Sequence, residues 1–96
     1  MPSIQGKTVI VTGASAGVGE ATAKLCVREG ANVVLAARDR KALEALAAAL
    51  GPRSRAVVTD VSKPEDCEAL MKASLEAFGR IDGLVNNAGY NSRGTV

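Results

Sequence analysis

The sequence predicts an α/β fold built on a parallel sheet, and three observations predict it. Strand-like apolar runs alternate with helix-period segments in the order β-α-β-α-β-α-β, joined by short connections. The first strand, Thr8 to Thr12, is a near-continuous apolar run, as suits a parallel strand covered on both faces. A glycine-rich turn then carries the chain from that strand into the first helix. Right-handed crossovers restrict the arrangement further.

Each element has its own signal. Gly6 and Lys7 lead into the first strand. The first helix is expected from about Ala16 to Glu29, with Val18, Thr22, Leu25 and Cys26 recurring at helical spacing and facing the sheet. Gly30 stands where a C′ glycine ends a helix. Asn32 to Ala37, NVVLAA, reads as the second strand, and Asp39 as the N-cap of the second helix. Leu43, Leu46, Ala47 and Leu50 form that helix's apolar stripe, and Gly51-Pro52 stops it. Arg55 to Thr59 is the third strand. Ser62 and Glu65 read as a capping box, with Ser62 at the N-cap. The third helix carries Cys67, Met71, Ser74 and Phe78 on one face, with Leu70 and Leu75 beside them, and Gly79 ends it. Leu84 to Asn86 is a short fourth strand, and the polar segment after Gly89 reads as loop.

In the turn, Gly13, Gly17 and Gly19 are spaced G-x-x-x-G-x-G. Glycine lets the backbone turn sharply off a strand end and lets a bulky anion approach it closely. The first turn of the following helix offers unpaired N–H groups and the positive end of the helix dipole, which together bind phosphate. Three glycines alone make only a flexible loop. The flanking strand, helix and second strand supply the context a dinucleotide site requires.

Thr12 to Gly19, TGASAGVG, resembles the TGxxxGxG cofactor motif of the short-chain dehydrogenase/reductase family, and Asn86-Asn87-Ala88-Gly89 resembles that family's NNAG motif. The resemblance runs from about Gly6 to Gly89, with the motifs in the family's order. It implies a Rossmann-like sheet of strand order 3-2-1-4, half of a doubly wound fold, forming a partial NAD(P)-binding domain over residues 1–96. It implies cofactor contacts from Gly13, Ser15, Ala16, Gly17, Val18 and Gly19. Ser15 could bond a phosphate or only the local backbone. Asp60 and Val61 follow the third strand, where relatives use the aspartate to accept a bond from the adenine amino group. Ser62 reads as the cap, which leaves Asp60 for the ligand. Asn87, Ala88 and Gly89 are expected beside the nicotinamide-side ribose.

Arg38 lies at the end of the second strand, nineteen residues after Gly19. In dinucleotide folds an acidic residue near here bonds the adenosine ribose of NAD, whereas an arginine accommodates the 2′-phosphate of NADP. Ala37 precedes it, where NAD-preferring relatives often carry aspartate. NADP is therefore the expected cofactor and NAD the lesser one. The plainer alternative is a solvated arginine at a strand end. A second basic residue, which many NADP-preferring relatives carry at the position of Ala16, is absent.

The family's reaction is hydride transfer between the cofactor and a carbonyl or alcohol. Its serine, Tyr-x-x-x-Lys pair and further asparagine lie well beyond NNAG, and the sequence here ends at Val96. Tyr90 has Gly94, not lysine, four residues on. No catalytic residue is therefore assigned, and these residues read as the N-terminal, cofactor-binding portion of such an enzyme. The rival reading is a non-catalytic nucleotide-binding or interaction module, or a truncated product without activity of its own.

Composition excludes other classes. Ninety-six residues with 47% hydrophobic content suit one small globular domain. A net charge of +2 with scattered basic residues, and only Phe78 and Tyr90 as aromatics, argues against nucleic acid. Cys26 and Cys67 fall at apolar helical positions and read as buried reduced thiols; with no histidine they make no metal set. Met1 to Lys7 has no signal-peptide h-region and no run spans a bilayer, so the expected compartment is the cytoplasm. The outer edge of the fourth strand, with no Lys or Pro to guard it, is expected to promote self-association.

Overall fold

The computed structural model describes residues 3–87. Strand β1 (Thr8–Thr12) is buried at every position, as its apolar run requires. It leads through the glycine turn into helix α1 (Gly17–Arg28), then β2 (Asn32–Ala37) and α2 (Arg40–Leu50). Strand β3 (Ser54–Val58), helix α3 (Pro64–Phe78) and β4 (Gly83–Asn86) complete the order. All pairings are parallel and the sheet order is β3-β2-β1-β4. The register runs Thr8 opposite Asn32 to Thr12 opposite Ala36 on one side of β1, and Val9 opposite Gly83 to Thr12 opposite Asn86 on the other.

Two apolar layers cover the sheet. Val9, Val11, Val33 and Leu35 pack with Ala23 of α1 and with Leu43 and Leu46 of α2. Ile10, Val34 and Ala36 point the other way and pack with Leu70 of α3, flanked by Met71, Phe78 and Ile81. Each of the larger aliphatic side chains withdrawn from water contributes on the order of 1.5–3 kcal/mol, so the two central strands anchor the fold. Far from the glycine turn, β1 and β4 are clasped by a reciprocal pair. The Thr8 N–H donates to the Asp82 carboxylate (2.8 Å), and the Asp82 N–H donates to the Thr8 carbonyl (2.8 Å). Arg80 completes the clasp with two bonds to Asp82 (2.8 and 2.9 Å).

Several local expectations are corrected. In α1 the buried residues are Gly19 and Ala23, with Cys26 and Val27 half-buried, while Val18 is 65% and Leu25 53% exposed. One cause is the tight approach of α1 to the end of β1, where a Cβ at Gly19 would overlap the Gly13 carbonyl oxygen. In α3 Leu70 and Ser74 are buried and Leu75 is half exposed; the Ser74 hydroxyl is satisfied by the Leu70 carbonyl (2.7 Å). The N-cap of α3 is Lys63, not Ser62, and no side chain caps it. Pro64 takes the first helical position, for which its ring is pre-set, and Ser62 bonds elsewhere. Strand β3 begins one residue earlier than expected. Cys26 and Cys67 are half-buried free thiols, and burial pushes the Cys26 thiol up. Asp39 does cap α2, accepting from the Ala42 N–H (3.1 Å). Among the described residues no helix is long and apolar enough to cross a membrane.

Candidate cofactor cleft

A cleft of about 620 Å³ opens at the carboxyl end of the sheet, beside β1 where the strand order reverses. Its first wall is the glycine turn, whose glycines serve two different ends. Gly13 (φ +65°) and Gly17 (φ +59°) hold left-handed backbone that side chains resist. A Cβ at Gly17 would meet nothing within 4 Å, so the backbone there faces open space. Gly19 is buried, and a Cβ there would overlap the Gly13 carbonyl oxygen. It is the contact that lets α1 sit against β1. The N-cap of α1 is Ala16, which has no side chain to cap the helix's first N–H groups. Those donors and the positive end of the dipole line the cleft with Ser15, Gly17 and Val18.

The second wall follows β2 and β3. Ala37 and Arg38 leave β2 at the cleft, with Arg38 exposed. Asp60 and Val61 follow β3 at the same cleft. Asp60 is not unengaged: one carboxyl oxygen, Oδ1, accepts from both the Ser62 hydroxyl (2.6 Å) and the Ser62 N–H (3.0 Å). Those two bonds hold the Asp60 carboxyl below the usual carboxylate range, and the positive charges of Arg38 and Lys63 add to the effect. The expectation that Ser62 caps α3 and leaves Asp60 free is thus reversed, because Asp60 itself orders the turn.

The third wall is Asn87. Its N–H donates to the Thr12 hydroxyl oxygen (3.0 Å), and that hydroxyl donates to the Asn86 side-chain oxygen (2.9 Å). The side-chain nitrogen of Asn87 is buried, with no hydrogen-bond partner among the described residues. A buried donor left so is costly unless a ligand meets it.

Ten of the twelve residues expected at the site line this one cleft: Gly13, Ser15, Ala16, Gly17, Val18, Gly19, Arg38, Asp60, Val61 and Asn87. Ala88 and Gly89 lie outside the described residues. Ala37, Asp39, Thr59 and Ser62 also line it. Thr12 was missed as a structural link. Its signal was a hydroxyl at the end of a fully buried strand, where it must find partners. Among the described residues no group of acidic, cysteine or histidine side chains could hold a metal ion.

Comparison with known proteins identifies the family and agrees with the fold. The family model described as short chain dehydrogenase matches residues 7–96. The chain belongs to the short-chain dehydrogenase family. Within that family it is 43% identical over 94 residues to 2,5-dichloro-2,5-cyclohexadiene-1,4-diol dehydrogenase of Sphingobium indicum, covering 98% of this chain and 38% of that one. It is 45% identical over 93 residues to 11-beta-hydroxysteroid dehydrogenase A of Sesamum indicum, covering 93% of this chain and 27% of that one. Among solved structures, the 3-ketoacyl-(acyl-carrier-protein) reductase of Brucella melitensis complexed with NADH superposes with a TM-score of 0.84 at 40% identity, over 85% of this chain and 34% of that one. The chain thus spans well under half the length of these curated relatives.

Proposed function

We propose that the cleft binds a nicotinamide dinucleotide, NADP(H) in preference to NAD(H). In this reading the residues form the cofactor-binding portion of an oxidoreductase acting on a carbonyl or alcohol. The observation that carries the reading is the junction of the glycine turn with the uncapped start of α1, on the same cleft as Arg38. The site suits such a ligand. Backbone donors face open space at Gly17, and Asn87 holds a buried side-chain donor in need of an acceptor.

The cofactor, when bound, supplies the hydride chemistry. The chain supplies binding and orientation. The N–H groups from Ser15 to Gly19 and the dipole of α1 hold the pyrophosphate. Asp60 accepts from the adenine amino group, with Val61 beside it. Asn87 borders the nicotinamide-side ribose. Arg38 makes a planar, charge-assisted contact to the 2′-phosphate, and the small neutral Ala37 adds no repulsion. The related Brucella reductase was solved with NADH, so the family's fold accepts the unphosphorylated cofactor as well. Preference then rests on side chains such as Arg38.

Calorimetry with NADPH and NADH tests this. NADPH is expected to bind more tightly, and Arg38→Ala to weaken NADPH selectively by on the order of 1.5–3 kcal/mol, the scale of a hydrogen bond to a charged group. Equal affinities for the two cofactors, or no change in Arg38→Ala, would overturn the NADP assignment.

A further inference from the structure

The turn between β3 and α3 is closely tied, and four of its hydrogen bonds converge on Asp60. Its N–H donates to the Asp66 carboxylate in the first turn of α3 (2.8 Å). Its carbonyl accepts from the Lys63 N–H (3.0 Å). Its Oδ1 takes both donors of Ser62, hydroxyl and N–H. Among the described residues the other carboxyl oxygen, Oδ2, takes no hydrogen bond. The preceding residue is fixed as well, since the Thr59 N–H donates to the Ala37 carbonyl (2.9 Å) and extends the β2–β3 ladder to the cleft. A carboxylate lining the cleft is thus held at its backbone on both sides and at one oxygen, with one acceptor left over.

We propose that Ser62 and Asp66 are positioning residues that set the cleft's preference for an adenine base, by fixing which oxygen of Asp60 is offered to the ligand. The inference rests on the dinucleotide reading of the cleft. An ionised carboxylate can only accept. Adenine presents an exocyclic amino group, a donor, where hypoxanthine presents a carbonyl oxygen. A held Oδ2 bonds the first and repels the second. Without the Ser62 hydroxyl only the backbone N–H of that residue holds Oδ1, and the Asp60 side chain turns more readily, so Oδ2 is offered less consistently. Without the Asp66 carboxylate the Asp60 N–H loses its partner and the turn loses its tie to α3. Neither Ser62 nor Asp66 needs to touch the base.

The experiment is calorimetry on the 96-residue chain with two probes, NADPH and its hypoxanthine analogue. Wild type is expected to prefer NADPH. In Ser62→Ala and in Asp66→Ala the preference is expected to fall about fivefold, the scale of one ordinary hydrogen bond. Ser62→Thr keeps a hydroxyl and Asp66→Asn keeps an acceptor oxygen, so both are expected to retain the wild-type ratio. A merely structural role would weaken both probes together and leave the ratio unmoved, and that result would overturn the proposal. Ser62 is exposed, so its variants decide the matter even if Asp66→Ala does not fold. Binding of NADPH by wild type with unchanged ratios in the alanine variants overturns this inference alone. Failure of wild type to bind either dinucleotide overturns the cofactor reading together with it.

Discussion

At Gly19 one added methyl group would run into the Gly13 carbonyl, with its carbon only 2.7 Å away. That backbone cannot move without lifting α1 from β1. Gly19→Ala is therefore expected to destabilise the fold by about 1–3 kcal/mol, as overpacking does, and thermal unfolding would read it. Gly17→Ala differs in kind: the methyl has room, but the left-handed backbone costs about 1–2 kcal/mol. Gly17→Asn, which tolerates that backbone, is expected to recover part of the loss, while Gly19→Asn is expected to recover nothing. Equal behaviour at the two positions would refute the distinction. Asp82 gives a pH signature. The Arg80 guanidinium, and then the Thr8 N–H, hold its carboxyl below the usual range. The stabilisation is complete above the unfolded aspartate value of about 3.9 and is lost as pH falls through the lower folded value. Asp82→Asn is thus expected to be less stable than wild type near neutrality, with the gap closing below about pH 4. A gap constant down to acid unfolding would show that the clasp contributes no charge-dependent stability.

Element by element, the strands were legible because a parallel strand covered on both faces leaves little but apolar residues to read. The faces of α1 were not. Helical periodicity selects bulky apolar residues for burial, and Val18 and Leu25 fit that rule. At the end of β1 the seam leaves Gly19 no room for a side chain, a steric fact that appears once the Gly13 carbonyl is in view, and Ala23 is the other fully buried residue of α1. The start of α3 was misread because S-x-x-E and a helix-opening proline make competing claims one residue apart. At β4, Val85 packs into the layer shared with α1 and α2, but Leu84 on the opposite face is 53% exposed. No strand among the described residues pairs with its outer edge. Such an edge templates pairing with another copy. Sedimentation of the 96-residue chain is expected to show concentration-dependent association, weakened in Leu84→Lys, with slow hydrogen exchange over residues 83–87 at high concentration. A monomer at every concentration would refute it.

For the molecule as a whole, the cleft stands where the sheet's order reverses, and segments distant in sequence meet there. Most of its lining could be named from two short motifs and Arg38, because backbone-led recognition leaves glycines in the sequence. What the motifs did not reveal is how the turns are tied: Ser62 to Asp60, Asp66 to Asp60, Thr12 to Asn86 and Asn87. Those bonds cross between elements and have no local spacing to betray them. The link from Thr12 to Asn87 has a consequence in time. It joins residues 75 positions apart, and the clasp of Thr8 on Asp82 at the other end of the same strand spans 74. Contacts so distant along the chain are closed at an entropic cost that local ones avoid. On a ribosome, the glycine turn emerges early but the Asn87 wall emerges only after β3 and α3. A growing chain therefore lacks this wall of the cleft until β4 is released and docks beside β1, and a ligand that needs it recognises only a sheet with β4 in place.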